Sequence, residues 1–287
     1  MNDILFFFDA RRVIPAFSGR NCVVTRRRPV SYDKASGKGR GRELRGRIIV
    51  SGGGKLRTFH LPHLTAGCEA MLAGCGALCA RRGSVYAAGE EEGVIYHLDA
   101  ASLLPCGVYA GGPGMRALCL SADAERLFVL LSDADSVLML CARTGAPMVL
   151  ARAGVHPQSM RLDDTGKRLV IAGGRDGCVH LLCAGTLRRL ARYPAEGFCA
   201  DAGMRRGRVR ALRYVGKDGS AAAGKLIASG GKALLLDRVN ERLFVSDAGR
   251  REWRFVCARA RDAAFVWDTQ ESDRAYSAQM TGGNEDV

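Results

Sequence analysis

The stretch Arg168–Leu187, "RLVIAGGRDGCVHLLCAGTL", decides the fold. Its glycine-rich turn Gly173-Gly174-Arg175-Asp176-Gly177 follows an apolar run, as a phosphate loop would, and Cys178, His180 and Cys183 follow it, as metal ligands would. A phosphate loop needs a helix after its glycines, so that the first-turn amides and the helix dipole meet the anion. Here Val179, Leu181 and Leu182 continue as a strand. On a strand, residues 178 and 180 share one face and 183 lies on the other, so the three do not converge on one ion. The turn is therefore read as a hairpin, where Gly, Asp and Asn supply the positive φ that tight turns require.

The same stretch echoes through the chain. Shifted by 42 residues, Leu169, Val179 and Cys183 fall on Leu127, Val137 and Cys141; shifted again, on Val85, Ile95 and Asp99. "RGSVYAAGEEEGVIYHLDAASL", "AERLFVLLSDADSVLMLCARTG" and "GKRLVIAGGRDGCVHLLCAGTL" align without gaps. The acidic turns "AGEEEG" and "LSDADS" occupy the glycine turn's position and would repel phosphate. Leu78, Leu120 and Leu162 lie seven residues before each first apolar position. "LLLDRVNERLFVSDAGRREWRFVCAR" places Leu236, Leu243 and Cys257 at the spacings of Leu120, Leu127 and Cys141. "GRIIVSGGGKLRTFHLP" aligns Ile48 with Val85, and Phe59-His60-Leu61 with Tyr96-His97-Leu98.

Each unit reads as four short apolar strands separated by Gly, Asp, Asn and Ser turns, which is the size of one propeller blade. A lone four-stranded sheet cannot bury both faces, whereas stacking around an axis buries them. On "VYAAGEEEGVIYHLDAASL", "LVIAGGRDGCVHLLCAGTL", "SADAERLFV" and "DDTGKRLVI", the chain resembles the YVTN and WD-repeat-like β-propellers. The fold expected is all-β, a single propeller of six or seven four-stranded blades over 1–268, since 287 residues divided by 42 is just under seven. The N-terminal and penultimate blades are irregular: 20–46 is a basic, loop-like insertion and 188–235 breaks the period. "DILFFFD" is the expected closing strand beside the last C-terminal strands, and 269–287 a polar tail.

Composition bounds the rest. The chain is 47% hydrophobic and 25% charged, as a globular protein is. Eleven cysteines without a tight framework, and a start "MNDILFFFDARRV" lacking a basic segment before its short apolar run, predict a cytoplasmic protein with mostly buried, reduced thiols, no membrane span, no cofactor and no metal. The net charge of +14 is concentrated between Arg20 and Arg47, with ten Lys/Arg against two acids.

Innermost propeller strands line a central channel, and the loops leading into them open on one face. "AGGPGMRAL" and "AGVHPQSMRL" are such loops, so Arg116, His156, Gln158 and Arg161 form the candidate ligand site. Arg161 could hold an anion and His156 could serve as acid or base. An acidic partner is not evident beyond Asp201, and no G-x-S-x-G stands in the chain. The reading of function is a non-catalytic binding or scaffolding propeller that presents its loop face to a protein or small ligand. Two others stand beside it. Some YVTN-like propellers are lactonases or sugar-acid hydrolases, so the resemblance also admits an enzyme. The segment 20–47, through Arg26, Arg27 and Arg28, could contact nucleic-acid phosphates, although Tyr32 is its sole aromatic for stacking. Oligomeric state is not legible.

Overall fold

The computed structural model describes residues 6–9, 12–15, 46–81, 83–89, 91–195, 199, 201–205, 208–215, 221–222, 224–229, 232–237, 240–247 and 253–267. They form an all-β propeller built from antiparallel sheets. Five of the sheets are four-stranded blades, in contrast to the six or seven expected. The first blade joins Asp262–Trp267, Gly46–Gly52, Lys55–Leu61 and Thr65–Met71 in that spatial order. The second, third and fourth span Cys75–Ala110, Met115–Arg152 and Ser159–Pro194, and the fifth spans Gly224–Ala258, each running inner to outer in chain order.

Dividing length by period overcounted because the irregular stretches do not make full repeats. Phe6–Asp9 and Arg12–Pro15 instead join Asp201–Arg205 and Arg208–Val215 in one further sheet, with Ala221–Ala222 pairing Arg208–Val215. The closing strand also differs. Asp262–Trp267 pairs with Gly46–Gly52 and closes the first blade, whereas Phe6–Asp9 of "DILFFFD" pairs with Arg208–Val215. The stretches 20–45 and 269–287 lie outside the described residues, as do Arg26, Arg27 and Arg28.

The repeat holds best in the second to fourth blades. Leu120 pairs with Leu127 and Leu162 with Leu169 across the first hairpin. Val85 pairs with Ala80 and not with Leu78, because this hairpin, with Arg81 paired to Ser84, is shorter than those that carry "SADAE" and "DDTGK". In the fifth blade the frame is displaced by one strand. Leu236, Leu243 and Cys257 sit on its second, third and fourth strands, against the first, second and third for Leu120, Leu127 and Cys141.

The core lies between blades. Ile95, Tyr86, Leu127 and Val129 pack the second blade on the third. Phe128, Leu130, Met139, Leu169 and Ile171 pack the third on the fourth. Leu234, Leu243, Ile48 and Phe265 join the fifth to the first, and Ile49, Leu56, Leu78 and Val85 join the first to the second. Second strands are therefore apolar on both faces, as in Arg126–Leu131, where Leu127 to Leu130 are wholly buried. Each such side chain contributes about 1.5–3 kcal/mol on leaving water.

Polar latches fix the blades in register. The Asp262 carboxylate accepts from the Leu78 amide at 2.9 Å, and Ser51 Oγ donates to the Gly76 carbonyl at 2.6 Å. Tyr86 and Tyr109 both donate to the Ala142 carbonyl, at 3.0 and 3.1 Å. Burial, with the neighbouring Tyr109 phenol, pushes the Tyr86 hydroxyl up to about 12, so it stays a donor. The His97 ring stacks on Tyr86 and bridges Tyr109 Oη and Ser84 Oγ, each at 3.0 Å. Among the described cysteines Cys75, Cys178, Cys199 and Cys257 are buried, but Cys68 and Cys106 are exposed, so burial is less general than expected. Among the described residues no helix is long and apolar enough to cross a membrane.

Candidate functional site

Strand polarity sets which turns meet. In a four-stranded antiparallel blade, the loop leading into the first strand and the turn between the second and third lie at the same end. The lead-in loop of the fourth blade, 153–158, therefore lies beside the 132–135 turn of the third. Between them is a cleft of about 400 Å³ lined by Gly114, Met115, Arg116, Ser132, Asp133, His156 and Gln158.

Three of the four residues singled out from the sequence meet there. Arg116, on the first strand of the third blade, donates from Nη2 to Gln158 Oε1 at 3.4 Å. Gln158 is 8% exposed, and its Nε2 donates to the His156 carbonyl at 2.8 Å. His156 has φ 48°, in the left-handed region, held by its amide donating to Asp135 Oδ1 at 2.7 Å. The repeat-equivalent residue one blade earlier is Gly114, with φ 69°. The backbone shape belongs to the repeat, and the imidazole is what this loop adds. Arg161 is not among the cleft residues; it is half-buried, and its Cδ is 3.7 Å from where a Cβ on Gly203 would stand.

The acid missing from the sequence reading is Asp133. Its Oδ1 lies 3.9 Å from His156 Nδ1, and its side chain is 69% exposed. Ser132 Oγ lies 3.3 Å from the same nitrogen and donates to the Pro157 carbonyl at 2.9 Å. The residues "SD" were legible within "LSDADS"; the missing signal was the shared polarity of the two turns. The Asp201 side chain lies outside the described residues.

This is not a nucleophile triad. A relay needs the serine on one ring nitrogen and the carboxylate on the other. Here both approach Nδ1, and Ser132 is 5% exposed with its proton directed at a carbonyl. The groups present can bind and orient a polar ligand through the guanidinium, carboxylate and imidazole.

A buried pair supports the loop from beneath. His180 Nε2 and Asp176 Oδ2 are 2.7 Å apart, with side-chain exposures of 3% and 11%. Gly154, with φ 115°, passes so close that a Cβ would stand 2.7 Å from His180 Nε2. The Arg175 amide donates to the Val155 carbonyl at 3.1 Å. His180, where other repeats carry Leu138 and Tyr96, thus packs against the lead-in loop at Gly154 and is not among the cleft residues. Among the described residues no group of three His, Cys, Asp or Glu side chains could hold a metal. Cys178 and His180 are buried while Cys183 is half-buried on the opposite face.

No protein-family model matches the chain. No curated protein matches it by sequence. Solved structures do. The chain is similar to one in the nidogen/laminin complex, at 12% identity and TM-score 0.59, over 77% of this chain and 98% of that one. It is also similar to the dihydro-heme d1 dehydrogenase NirN, at 13% identity and TM-score 0.47, and to the hydrazine synthase of Kuenenia stuttgartiensis, at 10% and 0.45. It spans 53% of the NirN chain and 62% of the hydrazine synthase chain, covering 74% and 60% of itself. The first likeness supports the β-propeller fold, a fold that serves binding and catalysis alike.

Proposed function

We propose that the chain is a non-catalytic binding propeller whose loop face takes a small polar ligand in the cleft between the third and fourth blades. The 42-residue echo supports counting it with the YVTN and WD-repeat-like propellers. The observation that carries the functional reading is the arrangement around His156. Arg116, Asp133 and Gln158 surround an open cleft of about 400 Å³, at the lower end of the ligand-site range. The one hydroxyl beside the imidazole is buried and directed at the Pro157 carbonyl. Binding groups are present, and an activated nucleophile is not formed among them.

The test is ligand-observed NMR with a fragment set of small neutral, anionic, cationic and zwitterionic molecules. The full chain is compared with an Arg116→Ala/Asp133→Ala double variant. The expected result is saturation transfer to some fragments that disappears in the variant, with no turnover of lactone substrates. Equal signals from both proteins, or lactone hydrolysis lost in His156→Ala, would overturn the reading.

A further inference from the structure

The cleft carries both signs of charge, and this restricts what it can hold. Arg116 and Asp133 come from the same blade, and both line the cleft. Arg116 is exposed, and a planar guanidinium presents a fork matched to a carboxylate; Gln158 Oε1 accepts from its Nη2 at 3.4 Å, as one of its contacts. Asp133 has an exposed carboxylate, and His156 Nδ1 lies 3.9 Å from its Oδ1. The two do not cancel by pairing with one another: among the described residues, no ion pair joins Arg116 to Asp133. A simple anion on Arg116 would meet the field of Asp133, and a simple cation on Asp133 that of Arg116. Like charges brought together in this way weaken binding of either.

We infer that the cleft is a site for a small amino-acid-like zwitterion. The ligand carboxylate sits on the Arg116 guanidinium, and its ammonium group donates to Asp133 with His156 alongside. Gln158 and Ser132, both nine-tenths buried, brace the walls and hold the His156 loop in place through the His156 and Pro157 carbonyls. The volume of about 400 Å³ suits a compact ligand. This inference rests on the binding reading above and names its ligand class.

The test uses the full chain titrated calorimetrically with glycine, β-alanine, 4-aminobutanoate and 6-aminohexanoate, which step the charge separation, and with butanoate and butylamine as single-charge controls. The expected result is one preferred zwitterion that binds at least tenfold tighter than both controls. Arg116→Gln and Asp133→Asn should each reduce that preference below threefold, and Asp133→Asn should strengthen butanoate binding. Both side chains are exposed, so the variants should keep the wild-type melting temperature. Butanoate or butylamine binding as tightly as every zwitterion would overturn the inference. If neutral fragments bind in the cleft but no zwitterion does, the ligand class is wrong and the binding reading survives. If neither set binds, both fall.

Discussion

Asp262→Ala tests whether ring closure depends on a buried latch. Asp262 lies at the start of the closing strand and is 1% exposed. One carboxylate oxygen accepts from the Leu78 amide in the next blade at 2.9 Å, and the other from the Ala263 amide at 2.9 Å. Leu78 and Ala263 are themselves buried, so water cannot replace the lost acceptor. A buried amide left without its partner costs about 1–3 kcal/mol, and bonds to a charged group lie toward the top of that range. Two such amides give about 5 kcal/mol, from which relief of carboxylate burial removes roughly 2 kcal/mol. The expected loss is therefore about 3 kcal/mol, or roughly 6–10 °C in melting temperature for a chain of this size. Asp262→Asn keeps one acceptor but turns an NH2 group toward the other amide, and should lose about half as much. The assay is urea unfolding followed by circular dichroism, with the exposed Glu125→Ala as a control expected within about 0.5 kcal/mol of wild type. A loss below about 0.5 kcal/mol for Asp262→Ala, or a ranking with Asn below Ala, would refute the latch.

Other outcomes follow from the same structure. Phe128→Ala, at a wholly buried position between the third and fourth blades, should lose about 3–5 kcal/mol in urea unfolding. Tyr109→Phe removes the donor to the Ala142 and Arg143 carbonyls and should lose about 1 kcal/mol by the same assay. Burial lowers the His97 pKa, so the unfolded chain takes up the proton first on acidification. The associated stability is present above the unfolded value of about 6.5 and is lost as pH falls through the lower folded value. Urea midpoints from pH 7 to 5 should therefore drop less steeply in His97→Gln than in wild type. Gly54→Ala meets nothing within 4 Å and suffers only its φ of 73°, whereas Gly145→Ala, with φ 71°, would also overlap the Tyr109 ring. Thermal melts should show the second to be clearly the more destabilising.

The candidate site was partly legible. Arg116, His156 and Gln158 came from comparing two lead-in loops at the same repeat position, and the structure gathers them in one cleft. Arg161 alternates with Met160 along its strand and is absent from the cleft lining, a matter of strand orientation that sequence spacing left open. Asp133 and Ser132 belong to the turn of a neighbouring hairpin, and their approach to His156 is a contact between blades. The buried pairing of His180 with Asp176 was equally hidden, because a histidine at a Leu or Tyr position does not announce its partner.

By itself the sequence determined the repeating unit: short apolar strands, their hairpin turns and the all-β class. Those properties are local, since alternation, turn chemistry and the need to bury two faces act within about 42 residues. The tertiary structure decided the number of four-stranded blades, which strand closes the ring and the frame of the fifth blade. Arg126-Leu-Phe-Val and Arg242-Leu-Phe-Val are the same tetrapeptide on a second and a third strand. Both are interior strands with neighbours on each side, so the local demand on the side chains is the same and the letters cannot tell them apart. The closing strand is fixed likewise by contacts distant in sequence: Asp262 of Asp262–Trp267 meets Ser51 of Gly46–Gly52 across 211 residues, and its carboxylate reaches Leu78 across 184.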